Sequence, residues 1–224
     1  YKATAFYLGG DEGLLLCPIE TCLPLANHIK ASFAKVMDEK LGDAVQPTIS
    51  VGVAIFDRER PLAAAIKSAR DAIERAKEMD KKSALCVSVS TASGNNWSAV
   101  DHWGDGWDRV DAAVKAVSAR RLSSGWAYDV ESLLETLPAS YYDREVAREA
   151  LQQEVRRITA RRTTRSGDSV WDELRGPQWW AVAPDPTQRE QLANQLHLIA
   201  FLARQSQRSV GENVEPSTES EVAQ

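Results

Sequence analysis

Apolar and polar residues alternate from Lys2 to Leu8, and an apolar run, Gly13 to Cys17, follows a short gap. These two segments predict a pair of strands. Gly9-Gly10-Asp11-Glu12 stands between them and predicts a tight hairpin with two adjacent carboxylates at its tip. From Thr21 to Leu41 the spacing becomes helical, with Ala26, Ile29, Phe33 and Val36 on one face and Pro24 in the first turn. Pro47 precedes a β-branched run, Thr48 to Phe56, that predicts a buried strand. Asp57 to Arg60 is a turn, and Pro61 opens the next helix. There Leu62, Ile66, Ala69, Ile73 and Ala76 recur at spacings of four and three. Lys81, Lys82 and Ser83 end that helix, and Ala84 to Ser90 predicts another strand, ending at Ser93-Gly94-Asn95-Asn96.

This order predicts an α+β fold: a mostly antiparallel sheet with helices packed on it. A ferredoxin-like unit has a further strand and helix before such a hairpin. The chain opens inside a strand without an initiator Met, so an N-terminally truncated unit is expected. Past Asn96 no strand of comparable quality is predicted. Helical patterns centre on Trp107–Ala119, Ser124–Leu137, Asp143–Thr163 and Thr187–Gln207, with a loop from Ser166 to Pro186. The expected division is a GGDE-containing domain over 1–93, an all-α helical domain over 94–208 and a disordered polar tail over 209–224. All seven tryptophans fall beyond residue 93, which suits a helical core anchored by aromatics.

Composition narrows the function. A net charge of -5 argues against a free-standing nucleic-acid binder that works through a global positive field, while leaving room for a local basic face. No apolar run approaches a membrane span, and no signal peptide is visible. Cys17, Cys22 and Cys86 lack zinc-site spacing, and an odd count makes a poor disulfide framework. They are read as buried thiols of a reducing compartment, which predicts a cytoplasmic location.

The chemistry concentrates in the turn. Adjacent Asp11 and Glu12 can hold a hard divalent cation, which takes oxygen ligands and shares them with substrate phosphates. Gly9 and Gly10 allow a phosphate-bearing ligand to approach the backbone. An ordinary hairpin has the same composition. Other candidates are plainer. Asp101 to Asp108 does not fit a calcium loop, and reads as a linker with Trp anchors leading into a helix. His28, His102 and His197 are isolated. Asn96-Trp97-Ser98 matches a glycosylation pattern that a cytoplasmic chain does not use. Arg156, Arg157, Arg161, Arg162 and Arg165 are either a solvated face paired with Glu149 and Glu154, or a contact for an RNA backbone or an acidic subunit. Trp179-Trp180 either anchors a partner or packs on the helical core.

Three segments carry a family resemblance: Tyr7-Leu8-Gly9-Gly10-Asp11-Glu12, Thr48-Ile49-Ser50-Val51-Gly52-Val53-Ala54, and Ala69-Arg70-Asp71-Ala72-Ile73-Glu74-Arg75-Ala76-Lys77. They resemble the nucleotidyl-cyclase palm shared by GGDEF-type diguanylate cyclases and the large subunit of type III CRISPR effector complexes. Ala84 to Gly94 looks like the exit from the second palm of that subunit. Leu122 to Asp129 and Leu196 to Arg204 look like its C-terminal helical domain, closest to the Cmr-type branch. Two departures stand out. The CRISPR subunit more often has two aspartates where this chain has Asp11-Glu12. The diguanylate cyclases expect Phe where Gly13 stands, and their inhibitory arginine motif places Asp where Ala3 stands.

The resemblance implies a ferredoxin-like, GGDEF-like palm followed by the helical domain, and a nucleotidyltransferase that makes cyclic oligoadenylate from ATP. It implies magnesium or manganese at Asp11 and Glu12, and nucleotide contacts from Gly9, Gly10, Lys77 and Lys82. Implied partners are guide RNA and target RNA through the complex, and the rest of the large subunit with its first palm. The backbone, small helical and guide-end-capping subunits complete that assembly. Family members build the site between two palms, so this chain alone is expected to be nearly inactive. An inactive scaffold palm and a diguanylate cyclase are the alternatives.

Overall fold

The computed structural model describes residues 2–42, 47–92, 94–138, 145–164, 167–174 and 186–212. Strands β1 (Thr4–Gly9) and β2 (Glu12–Leu16) form an antiparallel hairpin. A 3-10 turn (Ile19–Thr21) leads into α1 (Cys22–Leu41). Then come β3 (Val51–Phe56), α2 (Leu62–Glu78), β4 (Ala84–Ser90) and β5 (Asn96–His102). The remainder is helical: α3 (Asp105–Ser118), α4 (Trp126–Thr136), α5 (Glu145–Arg162), α6 (Gly167–Glu173) and α7 (Pro186–Glu212).

The strands form two separate sheets. The hairpin pairs only with itself, and β3-β4-β5 form a second sheet. That sheet is mixed: β3 runs parallel to β4 through the α2 crossover, and β5 returns antiparallel to β4. Two of the three described strand pairs are antiparallel, as expected; the corrections are that the strands form two sheets, and that β3–β4 is parallel because a helix rather than a tight turn joins them. Strand β5 is a further correction. Its residues, Asn96 to His102, mix Asn, Ser, Asp and His with Trp97, Ala99 and Val100, so the polar side chains mask a strand that β4 templates. The expected boundary after residue 93 thus falls in the β4–β5 connection. Helix α6 lies within the stretch expected to be a loop, and α7 runs to Glu212, past the expected start of the tail. Residues 213–224, Arg165 and the Trp179-Trp180 pair lie outside the described residues.

Strand β4 is the centre of the molecule. Alternation sends Ala84 and Cys86 to one face, where they pack with Ala72 and Ala76 of α2. Leu85, Val87 and Val89 point to the other face and join Trp107, Val110, Trp126, Leu196 and Ile199 in one buried cluster. Each such Leu or Val side chain contributes roughly 1.5–3 kcal/mol. A layer with apolar residues on both faces is a central strand, which explains why Ala84 to Val87 are all buried. On β3, a Cβ at Gly52 would lie 2.3 Å from the Ile73 backbone nitrogen, so the missing side chain lets α2 settle onto the sheet.

The helical part closes over the second face. Cys22, Leu23 and Ala26 at the start of α1 reach the same cluster, but further along Val36 and Leu41 are exposed. The apolar face read along α1 is therefore buried only at its beginning. Trp126 Nε1 donates to Thr159 Oγ1 at 2.9 Å in the interior between α4 and α5. Arg162 forms a two-pronged pair with Asp129 at 2.6 and 2.9 Å, again linking α5 to α4. Among the described residues no helix is long and apolar enough to cross a membrane.

Candidate functional site

Gly9 pairs with Glu12, so Gly10 and Asp11 are the two central residues of the β1–β2 turn. Gly10 has φ 61°, and Asp11 is not in the left-handed region. These signs are those of a II′ turn, whose first central position favours glycine. Space does not require glycine there, since nothing lies within 4 Å of a Cβ built on it. Gly9 is crowded instead: an added Cβ would sit 2.8 Å from the Tyr7 hydroxyl oxygen.

The turn exposes both acids. Asp11 caps the bend and Glu12 opens β2, and both are exposed. No hydrogen bond or ion pair among the described residues engages either carboxylate. The two acids stay available to a ligand because neither points into the interior. The hairpin also exposes large apolar side chains, with Phe6 at 55%, Tyr7 at 56% and Leu8 at 70% of full exposure.

The donor chemistry suits magnesium. Among the described residues no group of three or more His, Cys, Asp or Glu is placed to hold a metal ion. Magnesium is commonly held by one or two carboxylates, with water and substrate phosphates completing its shell. Asp11 and Glu12 match that donor set in number and hardness.

The lysines named from the resemblance behave differently from one another. Lys77, in the last turn of α2, pairs with Glu74 at 3.2 Å. Lys82 is exposed and lies in the turn Asp80–Lys82. That turn has an unusual backbone: Lys81 (φ 63°) and Lys82 (φ 48°) are both left-handed without being glycine. No hydrogen bond or ion pair among the described residues joins Asp11 or Glu12 to Lys77 or Lys82.

The residues that hold the lysine turn are Thr48 and Ser50, which carry little signal in the sequence. Thr48 Oγ1 donates to the Lys81 carbonyl at 3.0 Å, and Ser50 Oγ donates to the Lys82 carbonyl at 2.7 Å. The available signal was two hydroxyls at i and i+2 just ahead of a buried strand. Such spacing puts both on one side of an extended chain.

The remaining candidates have structural occupations. Trp103 Nε1 donates to the Ile49 carbonyl, and Trp107 Nε1 to the Asp101 carbonyl, so the expected Trp anchors are present. Asp101 accepts Gln195 Nε2 at 2.9 Å, tying β5 to α7. His197 Nε2 lies 2.6 Å from Glu131 Oε1, and His102 Nδ1 lies 3.3 Å from the Ser83 carbonyl. On the arginine helix, Arg157 pairs with Glu154 and Arg162 with Asp129. Burial pushes the Cys22 thiol up to about 12, and raises Cys17 and Cys86 as well. None of these is poised as a nucleophile. A cleft of about 420 Å³ lies between α4 and α5, lined by Leu133, Glu154, Ile158 and Arg161 among others, on the helical part rather than at the hairpin.

The family match falls on the stretch that carries the hairpin. Residues 1–86 match the family described as Cas10/Cmr2, second palm domain. The chain is also similar to the CRISPR system Cmr subunit Cmr2 of Pyrococcus furiosus, 28% identical over 100 residues. That alignment covers 43% of this chain, and the chain spans 11% of the length of that relative. The matched residues contain the hairpin, β3, α2 and the first residues of β4. Over residues 1–86, therefore, the chain is similar to the second palm domain of the Cas10/Cmr2 family.

Proposed function

We propose that this chain supplies the nucleotide-joining palm, with its helical cover, of the large subunit of a type III CRISPR effector. In this reading the palm makes cyclic oligoadenylate from ATP when target RNA pairs with the guide RNA of the complex. The observation that carries the reading is the pair of exposed, unengaged carboxylates on a two-residue turn within the family-matched segment.

The reaction joins nucleotides through oxygen and phosphorus. A ribose 3′-hydroxyl attacks an α-phosphate, a P–O bond forms, the bond to the leaving phosphate breaks, and pyrophosphate departs. Asp11 and Glu12 would hold magnesium or manganese, which supplies neutralisation of the phosphate charge. Gly10, with no side chain and open space around it, leaves the turn accessible to the ligand. Gly9 sits beside it under the Tyr7 ring. Lys82 offers an ammonium group to the triphosphate, and each well-placed donor of this kind contributes about 3 kcal/mol to charge stabilisation. Lys77 is the weaker candidate because Glu74 already engages it.

The rest of the machinery would come from the assembly. The first palm would complete the site, and the backbone, small helical and guide-end-capping subunits would present guide and target RNA. Incubating the assembled complex with ATP or GTP, with and without target RNA, tests the reading. Cyclic oligoadenylate formed only with RNA supports it. An assembled complex without product points to a scaffold palm, and a cyclic GTP dimer points to a diguanylate cyclase. The Gly13 that follows Glu12 weighs against the last.

A further inference from the structure

Two adjacent non-glycine residues in the left-handed region are costly, because each Cβ crowds the following carbonyl oxygen. Lys81 and Lys82 adopt that conformation at the exit of α2. Neither side chain has a hydrogen bond or ion pair among the described residues, and both residues are exposed. Their backbone, by contrast, is held at several points. Thr48 Oγ1 donates to the Lys81 carbonyl at 3.0 Å and Ser50 Oγ to the Lys82 carbonyl at 2.7 Å. The Lys82 amide donates to the Met79 carbonyl at 3.0 Å, and the Trp103 amide to the Ser83 carbonyl at 3.2 Å. Strain held by surrounding contacts points to a role for the strained residues.

We propose that Thr48 and Ser50 are positioning residues. Their hydroxyls latch the Lys81–Lys82 turn so that two neighbouring ammonium groups face one polyanionic ligand, the triphosphate of a nucleotide. This rests on the nucleotide-joining reading above, and it extends that reading by adding Lys81 as a second cation in place of the engaged Lys77. The placement is coherent with the sheet. Thr48 and Ser50 immediately precede β3, and the lysine turn immediately precedes β4. These strands are parallel and in register from Val51 and Leu85 onward. Both segments therefore lie at the same end of the sheet, at the strand starts. Two adjacent cations on a fixed turn lose less freedom on binding a polyphosphate than two on a loose one.

The test uses the assembled complex, its chain carrying Thr48→Val and Ser50→Ala combined, changes that remove both hydroxyls at nearly constant shape. Two readouts are taken: the rate of trypsin cleavage after Lys81 and Lys82, and the affinity for Mg–ATP and Mg–GTP by equilibrium dialysis. The expected result is cleavage about tenfold faster and Mg–ATP affinity about tenfold weaker, the scale of one charge-assisted contact. Thr48→Ser with Ser50→Thr restores both. Lys81→Ala with Lys82→Ala, at exposed positions, lowers affinity at least as far and stands in if the hydroxyl variant fails to fold. Faster cleavage with unchanged affinity would make the latch purely structural and overturn the proposal. A wild-type complex that binds neither nucleotide overturns the nucleotide-joining reading and this proposal together. Equal loss for both nucleotides, with no preference for ATP, supports the latch and removes only the adenine specificity.

Discussion

The indole of Trp103 donates to the main-chain carbonyl of Ile49 at 2.8 Å, across 54 residues of sequence. This single bond fastens the turn between β5 and α3 to the segment that leads into β3. Lys30 of α1 lies over the same ring, 5.7 Å from its centre. Trp103→Phe keeps most of the apolar contact but leaves the Ile49 carbonyl without this donor. The expected loss is about 1–2 kcal/mol in urea unfolding. A variant as stable as wild type would show that the bond exchanges freely with water.

Gly52→Ala is expected to be among the most damaging single changes in the chain. The new methyl would meet backbone atoms of Ile73 and Ala69 within 3 Å, and backbone cannot swing aside as a side-chain tip can. Forcing α2 off β3 costs about 3 kcal/mol or more. Thermal unfolding would read this as a melting point lower by roughly 5–10 °C. Adding the same methyl at exposed Gly10, where space is open but φ is 61°, is expected to cost only about 1 kcal/mol.

Asp11→Asn and Glu12→Gln separate function from folding. Both acids are exposed and unengaged, so stability should change by less than about 0.5 kcal/mol. If the pair holds the catalytic cation, synthesis by the assembled complex falls by at least about a hundredfold in each variant. Synthesis that survives in both variants removes the pair from the reaction. A fall in stability in place of activity would assign the acids to the fold.

Glu131 gives a pH signature. Burial raises its carboxyl above the usual 4.5, the His197 pair pulls it back, and Glu135 adds repulsion in the raising direction. A raised folded value means that the fold disfavours the ionised form. The contribution is fully present below 4.5 and is lost as pH rises through the raised value. Glu131→Gln cannot titrate. Wild type should therefore lose stability relative to this variant as pH rises from below 4.5 through the raised value. Urea unfolding across that range measures the difference. The carboxylates of Glu154 and Glu173 lie below 4.5 because Arg157 and Arg121 hold them. Their contributions have the opposite sign: present above 4.5, and lost as pH falls through the lowered values.

Much of the fold was legible because periodicity marks burial. The helices over Cys22–Leu41, Leu62–Glu78, Asp105–Ser118, Trp126–Thr136 and Pro186–Glu212 follow stripes seen in the sequence. So does the hairpin, whose Gly10 carries the positive φ that its turn requires. Strand β5 was not legible, since its hydrogen bonds come from β4 and its side chains include Asn96, Ser98, Asp101 and His102. The parallel pairing of β3 with β4 was missed for a related reason: strand order is a long-range property that local patterning does not encode. At the candidate site the acids were read from composition, and their exposure is a finding of the structure. The hydroxyls of Thr48 and Ser50 were hidden because their partners are carbonyls some thirty residues away, and nothing in a local window marks a carbonyl as special.

The shared interior on the far face of β4 has a mechanical consequence. Leu85, Val87 and Val89 share one buried cluster with Leu196 and Ile199 of α7, and densely packed interiors transmit displacement rather than absorb it. A load placed on α7 is thus passed to a strand whose first residue, Ala84, lies two positions beyond Lys82. Cutting the chain at residue 93 would strip that wall away and leave β4 with one bare oily flank. The helices are half of the beam on which the lysine turn and the strand that follows it are mounted.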